Sequence, residues 1–351
     1  MNVSSLSTVG GMFGLEIGGA NRTQNRGTAP LFLRGDPLLL TMARSAFLIL
    51  HRTLKPGKVW LPSYLCDVVL GALPGDAICF FAIDERLQII ERDWMNDVHE
   101  GDMVVFIDYF GFNNWESTGA EARAKGAWVI EDACHALVNS RFSEHAHFVV
   151  CSPRKFVGVP DGGILIAQGG AETPVWKLEN PPTVWSMDAL NASVRRAMFD
   201  YAAEAGENGW FSMYQRSEAT APLSPFAMSE LTQFILRNVV DWTAVAARRR
   251  FNYEWLAERF GDLAIFPHLP EEVVPLGFPV RLTNRGEVRQ RFFDDHIFPA
   301  IHWACPEEVS PAFEHAHRLS GQILSIPCDQ RVTATELERI AAVMRTAEKI
   351  P

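Results

Sequence analysis

The sequence predicts an α/β fold in which a mostly parallel central sheet is flanked by helices, followed by a smaller C-terminal α+β domain. Two patterns indicate this fold. Between residues 38 and 165, short apolar runs without polar alternation are separated by segments that are apolar at helical spacing. Beyond a long helical stretch near residue 240, two further apolar runs and a terminal helical pattern indicate the smaller domain. With 351 residues, 48% of them hydrophobic, the chain is long enough for two domains.

The alternating region begins with a predicted helix over residues 38–54. Further helices are predicted over 63–73 and 116–126, the last of which ends at Gly126. Strands are predicted at 58–62, 77–83, 102–110, 127–132, 147–152 and 162–167. Strands that are apolar on both faces and are separated by helices are typical of a parallel sheet covered on both sides.

A peripheral segment follows the sheet. Residues 168–225 change from a loop-like to a helical pattern and end in a Pro/Ser-rich stretch, so we expect them to leave the sheet. Residues 228–260 predict a long helical region. We place the domain boundary within it, which gives a large domain of residues 1–240 and a small domain of residues 241–351.

The small domain has its own strand and helix patterns. Strands are predicted at 277–283 and 323–327, and a terminal helix is predicted at 335–349. Thr335 and Glu338 have the spacing of a capping box, in which each side chain bonds the backbone N–H of the other residue.

The overall charge excludes several functional classes. A formal net charge of −10 argues against non-specific nucleic-acid binding and against attraction to anionic membranes. No apolar run reaches the 18 or so residues of a transmembrane helix, and residues 1–14 lack the pattern of a signal peptide. The chain is therefore expected to be cytoplasmic, with neither a nucleic-acid nor a membrane partner.

The cysteines, histidines and clustered arginines predict no special chemistry. Six cysteines are scattered without CxxC pairs, which favours reduced, buried thiols. No histidine spacing predicts a zinc site, so we expect no metal. The run Arg248, Arg249 and Arg250 precedes residues at helical spacing and is interpreted as a solvated helix face.

Four polar residues stand where two predicted strands end. Asp132 ends the strand at 127–132 and His135 follows one helical turn later, while Ser152 and Lys155 follow the apolar run HFVV. Ligands of open parallel sheets bind at the carboxyl ends of the strands. Taken singly, Asp132 is a helix cap, His135 a structural histidine and Lys155 a surface lysine. Because all of them are predicted at one edge, together they indicate a functional site.

A buried carboxylate and a lysine amine at one sheet edge fit pyridoxal phosphate. This cofactor needs a lysine amine for a Schiff base and a carboxylate to keep its pyridine nitrogen protonated. Its phosphate needs hydroxyls and the N–H groups of a helix N-terminus. A dinucleotide-binding site is the weaker hypothesis, because the glycines of 10–19 and 158–163 do not form G-x-G-x-x-G between a strand and a helix.

Several stretches resemble the DegT/DnrJ/EryC1/StrS sugar aminotransferases. The most specific is VIEDACHAL at 129–137, which is similar to the family's IEDAAHA motif. Residues 151–163 are similar to its serine-to-lysine segment and Gly-Gly hairpin, although Ser152 lies three residues before the lysine where the family often has five. Weaker similarity at other positions extends over most of the chain. The resemblance implies a divergent fold-type-I pyridoxal-phosphate aminotransferase.

The resemblance implies catalytic roles for three residues. Asp132 would pair with the pyridinium nitrogen, and His135 would lie near the phenolic oxygen of the ring. Lys155 would form the Schiff base and then move the proton during transamination. The same lysine makes a dehydratase-like member less favoured, because those members carry histidine at this position.

Further cofactor contacts are implied by the same comparison of motifs. Ser152 would bind the phosphate together with the backbone of Ala43, Arg44 and Ser45 and the Ser45 hydroxyl. An aromatic residue commonly stacks on the ring after the family's VPS strand. Tyr64 is the candidate here, since Cys66 occupies the aligned position.

Substrate and assembly are implied only in outline. An amino acid, glutamate or glutamine, would donate the amino group to a keto-sugar or related ketone, possibly linked to a nucleotide, in a homodimer with shared sites. Arg281, His302 with its neighbour Trp303, and Arg331 are candidates for contacting substrate, because clefts recruit polar loop groups. Two alternatives stay open: another reaction type on the same cofactor, and a catalytically silent binding or regulatory protein on this fold.

Overall fold

The computed structural model of the chain describes residues 7–17, 30–202 and 208–349. The described strands are β1 (Val9–Gly10), β2 (Leu38–Leu40), β3 (Val59–Pro62), β4 (Ile78–Phe81), β5 (Met103–Ile107), β6 (Trp128–Asp132), β7 (Phe148–Cys151), β8 (Gly163–Ala167), β9 (Phe278–Arg281), β10 (Ile297–Phe298) and β11 (Ile323–Ile326). The described helices are α1 (Arg44–Leu54), α2 (Asp67–Leu70), α3 (Glu116–Ala124), α4 (Thr183–Ala202), α5 (Asn208–Ala219), α6 (Glu230–Asn238), α7 (Trp242–Phe260), α8 (Arg285–Asp294), α9 (Glu314–Gln322) and α10 (Ala334–Met344).

A seven-stranded sheet forms the centre of the molecule. Its order is β2-β8-β7-β6-β5-β3-β4, and β8 runs antiparallel to both of its neighbours while the remaining pairs are parallel. Every residue of β5 and β7 is buried, as expected for strands covered on both faces. The predicted α/β class with a mostly parallel, helix-flanked sheet is therefore confirmed.

The start of the alternating region differs from the sequence prediction. Residues 38–54 were expected to form one helix, but Leu38–Leu40 form β2, which pairs with β8, and α1 begins only at Arg44. A short apolar run satisfies a strand and a helix equally well, so its partner strand decides the outcome. The helix expected over 63–73 is likewise reduced to α2, and the rest of that segment is turn, bend or irregular chain.

Residues 168–225 leave the sheet and form a pair of helices. The indole N–H at Trp185, near the start of α4, donates to the carbonyl of Ser217 near the end of α5 at 2.8 Å, so the two helices are antiparallel. The N-terminal segment 9–17 passes beneath α4. There the N–H of Leu15 donates to Ser193 at 2.8 Å, and the N–H of Glu16 donates to Gly158 at 2.8 Å.

Glycine is required where this segment crosses the chain. A Cβ at Gly158 would lie 1.6 Å from the carbonyl oxygen of Gly14, and a Cβ at Gly14 would lie 2.6 Å from the backbone of Ala197. Backbone therefore packs directly on backbone at both contacts, which leaves no room for a side chain. We call residues 9–17 the N-terminal strap.

The C-terminal part is built on an antiparallel pair, β9 with β11, and on β10, which pairs in parallel with β1 of the strap. The long helical region predicted at 228–260 is two helices, because the chain breaks after α6 and Asp241 caps α7. The capping box of α10 is formed by Thr333 and Glu336, so the predicted box at Thr335 and Glu338 was two residues too late. The boundary at residue 240 stays a prediction.

Within the described ranges, no helix is both long and apolar enough to cross a membrane.

Candidate active site

The parallel strands bring the candidate residues together at one edge of the sheet. Ile107 of β5 lies opposite Asp132, and Asp132 lies opposite Val150 of β7, so these strands end at the same level. Beyond this edge lies a cavity of about 250 Å³. Six of the predicted site residues line it: Ala43, Arg44, Asp132, His135, Ser152 and Lys155.

Asp132 and His135 form the floor of this cavity, which we call the small cavity. The carboxylate of Asp132 is only 7% exposed, and its Oδ1 accepts a hydrogen bond from the N–H of Cys134 at 3.0 Å. Nδ1 of His135 accepts from the N–H of Phe110 at 3.3 Å, which leaves the ring proton on Nε2. Burial, the charge of Lys155 and the neighbouring His302 hold the pKa of His135 well below 6.5, so the ring is neutral.

Lys155 is held by a short turn, Pro153–Lys155, that directly follows β7. Its Nζ lies 5.7 Å from the centre of the Trp303 ring, and within the described residues it forms no ion pair. Trp303 in turn packs on His135, with ring centres 5.0 Å apart. The amine therefore sits in a partly apolar wall, beside aromatic rings and close to a carboxylate.

Tyr64 stands behind this wall and does not line the small cavity. Its hydroxyl donates to the carbonyl of His302 and accepts from the N–H of Trp303 at 2.6 Å. Tyr64 thus fixes the segment that carries Trp303, whereas Trp303 itself presents an aromatic ring to the cavity. Sequence reasoning named Trp303 beside His302 as a candidate for contacting substrate, but it did not place the Trp303 ring next to Lys155 in this cavity.

The opposite end of the cavity is suited to an anion. The first turn of α1 begins here at Ala43 and Arg44, and helix N-termini carry unpaired N–H groups and a partial positive charge. Gly163 permits this approach, since a Cβ there would lie 2.3 Å from the nitrogen of Ala43. Ser45, in contrast, directs its hydroxyl at the carbonyls of Leu223, at 3.1 Å, and Ser224, away from the cavity.

Arg154 is a residue that sequence reasoning missed. Its guanidinium lines the small cavity, pairs with Glu218 of α5 and lies 3.5 Å from the sulfur of Met42. Burial alone would lower the pKa of Arg154, but the carboxylate of Glu218 raises it above its usual value. The only indication in the sequence that Arg154 belongs to the site was its position, between an apolar strand and Lys155.

Two buried carboxyl groups lie next to Asp132 on the sheet. Oδ1 of Asp108 accepts from the indole N–H of Trp115 at 2.7 Å, and Oε2 of Glu131 accepts from the N–H of Ser143 at 2.8 Å. Burial and their mutual proximity raise the pKa of Asp108, and burial raises that of Glu131 to about 7. The two groups therefore share a proton near neutral pH.

A larger cavity, of about 710 Å³, adjoins the small one, and Arg154 and Lys155 line both. His302 and Arg331, which were expected to contact substrate, line this larger cavity. Nδ1 of His302 lies 2.9 Å from the Ser325 hydroxyl, and burial lowers the pKa of His302 to about 3. Arg281 lines neither cavity, because its guanidinium bonds Gln322 at 2.8 Å.

Solved structures with the same architecture are found among aminotransferases. DesV from S. venezuelae matches with a TM-score of 0.63 at 18% identity, over 91% of this chain and 87% of that chain. The putative sugar aminotransferase Spr1654 from Streptococcus pneumoniae, in its PMP form, matches with a TM-score of 0.65 at 13% identity, over 98% and 91%. A DegT DnrJ EryC1 StrS aminotransferase from Brucella abortus matches with a TM-score of 0.59 at 14% identity, over 89% and 85%.

The chain has the fold of these three proteins. The expectation of this architecture, drawn from the motifs at 129–137 and 151–163, is thereby confirmed. In this fold the small cavity lies at the carboxyl ends of the central strands, where ligands of open parallel sheets bind.

Matches by sequence are shorter. No protein-family model matches the chain. Serine hydroxymethyltransferases from Yersinia pestis and Yersinia pseudotuberculosis are 30% identical over 110 residues, which is 28% of this chain and 26% of those proteins. The chain therefore matches about a quarter of the length of these curated relatives.

Proposed function

We propose that the protein is a pyridoxal-phosphate-dependent aminotransferase that moves an amino group from an amino acid to a ketone. One observation carries the proposal: a buried carboxylate, Asp132, and an amine without an ion-pair partner among the described residues, Lys155, line one cavity together with the N-terminus of α1. The fold shared with aminotransferases supports the same conclusion.

The residues of the small cavity fit this cofactor in their chemistry. Asp132 offers a carboxylate for a protonated ring nitrogen, and Lys155 offers the amine. Ser152, Arg154 and the first turn of α1 offer hydroxyl, guanidinium and N–H donors for a phosphate. When bound, pyridoxal phosphate supplies an aldehyde that reacts with amines and a ring that withdraws electrons from the reacting carbon.

Each side chain then has a definable task. The Asp132 carboxylate would hold a proton on the ring nitrogen of the cofactor. The buried position of Asp132 favours this pairing, because a buried negative charge costs less free energy when a positive charge lies beside it. Nζ of Lys155 acts as nucleophile and afterwards carries a proton to and from the substrate carbon. His135, neutral and fixed through the N–H of Phe110, orients the ring without adding charge.

The finer identity of the substrates extends the same proposal. We take glutamate or glutamine as amino donor and a keto-sugar or related ketone as acceptor, supported by fold neighbours that are named sugar aminotransferases. A cytoplasmic location is supported by six free cysteines. A homodimer is supported by exposed apolar side chains on α4, among them Met187, Met198 and Tyr201, and light scattering tests it.

Absorption spectroscopy tests the cofactor assignment. Protein loaded with pyridoxal phosphate should show a visible absorption band that borohydride bleaches, and glutamate should shift that band in a half-reaction. Lys155→Ala should lose the borohydride-sensitive band, while Lys177→Ala, at an exposed position, should keep it. Protein that stays colourless with added cofactor would support the silent binding role and overturn the proposal.

A second candidate is a different reaction on the same cofactor. The local match to serine hydroxymethyltransferases favours it, because the cofactor alone does not select which bond of the amino acid breaks. Product analysis separates the two. An aminotransferase converts the donor into its oxo acid with one equivalent of amine transferred, whereas breakage of a carbon–carbon bond yields a shorter amino acid.

A further inference from the structure

The larger cavity is placed to hold the part of a substrate that points away from the reacting amine. It shares Phe13, Arg154, Lys155 and Tyr214 with the small cavity, so the two spaces meet at the lysine. A volume of about 710 Å³ lies within the usual range of roughly 300–1,000 Å³ for small-molecule sites. A molecule that reacts at Lys155 therefore has room for a sizeable substituent here.

Aromatic rings form two sides of this larger cavity. Phe199, Trp210 and Phe211 come from the α4–α5 pair. The ring centre of Trp210 lies 6.2 Å from that of Phe199 and 5.5 Å from that of Phe211. Phe293 and Phe298 line the cavity from the C-terminal part, with ring centres 5.4 Å apart. Phe211 and Phe298 are 48% and 39% exposed, so an apolar ligand would remove considerable aromatic surface from water.

The charge of the same walls is positive. Four arginines and Lys155 line the larger cavity. Three of these arginines are ion-paired, Arg154 with Glu218, Arg196 with Asp200 and Arg331 with Asp329. Arg249 and Lys155 are therefore the lining cations without an ion-pair partner among the described residues. This excess occurs in a chain whose formal net charge is −10. Positive charge concentrated in a cleft raises the local concentration of anions, so the cavity favours a negatively charged substrate.

Most polar groups of these walls are already engaged within the protein. Arg331 donates to both oxygens of Asp329 and to the carbonyls of Gly11 and Met12. His302 bonds Ser325. A ligand rich in hydroxyl groups would lose its hydrogen bonds to water and find few replacements, at a cost for each unpaired group.

One guanidinium keeps a nitrogen available. Arg196 is only 2% exposed, its Nε donates to Asp200 at 2.7 Å and its Nη2 donates to the carbonyl of Gly10 at 3.3 Å. Within the described residues its Nη1 donates no hydrogen bond. Arg196 therefore provides a buried, fixed donor that can pair with a single carboxylate.

We infer that the larger cavity selects a carboxylate substrate with an aromatic or bulky apolar side chain, an aryl-substituted 2-oxo acid or its amine, in preference to a polyhydroxylated nucleotide-sugar. The inference rests on the proposed function for the reaction at Lys155. Of the two acceptor classes proposed there, it favours a related ketone, here a 2-oxo acid, over a keto-sugar. Aromatic walls hold the apolar group, and the cationic wall holds the carboxylate.

Calorimetry on cofactor-loaded protein without amino donor tests the inference, since an oxo acid then binds without turnover. Phenylpyruvate should bind at least about tenfold more tightly than pyruvate and than uridine diphosphate glucose. Phe211→Ala should lose most of the preference for phenylpyruvate over pyruvate. Phe251→Ala, an exposed phenylalanine of α7 outside both cavities, should keep it.

The proposed function and the inference about the larger cavity are overturned by different results. The inference is overturned if uridine diphosphate glucose binds as tightly as phenylpyruvate. It is also overturned if Phe211→Ala keeps the preference for phenylpyruvate over pyruvate. In both cases the absorption band of the cofactor would be unaffected, so the proposed function would remain. Protein that binds no pyridoxal phosphate overturns the proposed function, and the same calorimetry on unloaded protein still ranks the three ligands.

Discussion

Single buried groups set the electrostatics of the candidate site. Asp132 and Lys155 could be predicted from the sequence because each follows a run of buried strand residues, and strand ends fix their position. Arg154 could not, since its role depends on Glu218, 64 residues away on a helix that no local pattern places there. The position of Trp303 beside Lys155 could not be predicted for the same reason, because long-range packing brings its loop to the lysine.

The pair of Asp108 and Glu131 should make stability depend on pH. The pKa of Glu131 is about 7 in the fold and near 4.5 in the unfolded chain. Between these values the folded protein holds a proton that the unfolded chain has released, so the stabilisation from this group is lost as pH rises from 4.5 through 7.

Glu131→Gln should remove the part of this dependence that comes from Glu131, because an amide still accepts from the N–H of Ser143 but does not ionise. Urea unfolding from pH 5 to 8 should show wild type losing stability relative to the variant, by at most about 3 kcal/mol. Glu144→Gln, at an exposed position, serves as control. Parallel curves for wild type and Glu131→Gln would contradict the assignment.

Arg154 should recognise the phosphate of the cofactor. Arg154→Met should weaken binding of pyridoxal phosphate about tenfold or more, because a charge-assisted hydrogen bond contributes about 1.5–3 kcal/mol. Binding of pyridoxal, which has no phosphate, should hardly change. Fluorescence titration measures both affinities, with Arg237→Met on an exposed helix face as control. Equal losses for the two compounds would show a merely structural role.

At the scale of elements, the sequence predicted which strands and helices exist better than it predicted the residues at which they begin and end. The buried strands of the sheet were placed within a few residues, because their apolar runs are continuous. Leu38–Leu40 were misassigned because only their pairing with β8 makes them a strand. The cap of α10 was misplaced because Thr333 and Thr335 both precede a glutamate by three residues, and local sequence does not choose between them.

The two threonines provide a matched test of that cap. Thr333→Ala should lower the free energy of unfolding by about 1 kcal/mol, since it removes the acceptor for the N–H of Glu336. Thr335→Ala, inside the helix and exposed, should change stability by less than about 0.5 kcal/mol. Thermal melts of both variants show which threonine caps α10. A larger loss of stability in Thr335→Ala than in Thr333→Ala would instead support the capping box predicted at Thr335.

At the scale of the whole molecule, one arginine connects distant parts of the chain. Arg249 was interpreted as part of a solvated helix face, yet it is fully buried. It donates to the carbonyls of Phe156, Pro275 and Leu276 and to the side chain of Gln330. Burial lowers its pKa to about 10, so it stays charged at neutral pH. The local sequence could not reveal the burial of Arg249, because its neighbour in the same arginine run, Arg248, is exposed.

Arg249→Met should therefore destabilise the protein by more than about 3 kcal/mol, since it leaves several buried carbonyls without donors. Arg248→Met should be nearly neutral. Chemical denaturation of the two variants measures the difference. Similar stabilities would mean that water replaces the guanidinium and that the connection is not needed for folding.

The N-terminal strap has a consequence for the order of folding. Its residues line both cavities, yet β1 pairs with β10 almost 290 residues later, and the carbonyls of Gly11 and Met12 are held by Arg331. A chain that emerges from the ribosome N-terminus first can build the central sheet early, but β1 must wait for β10 and Arg331, which are synthesised much later. Both ligand cavities can consequently be completed only after the central sheet and these partners have formed.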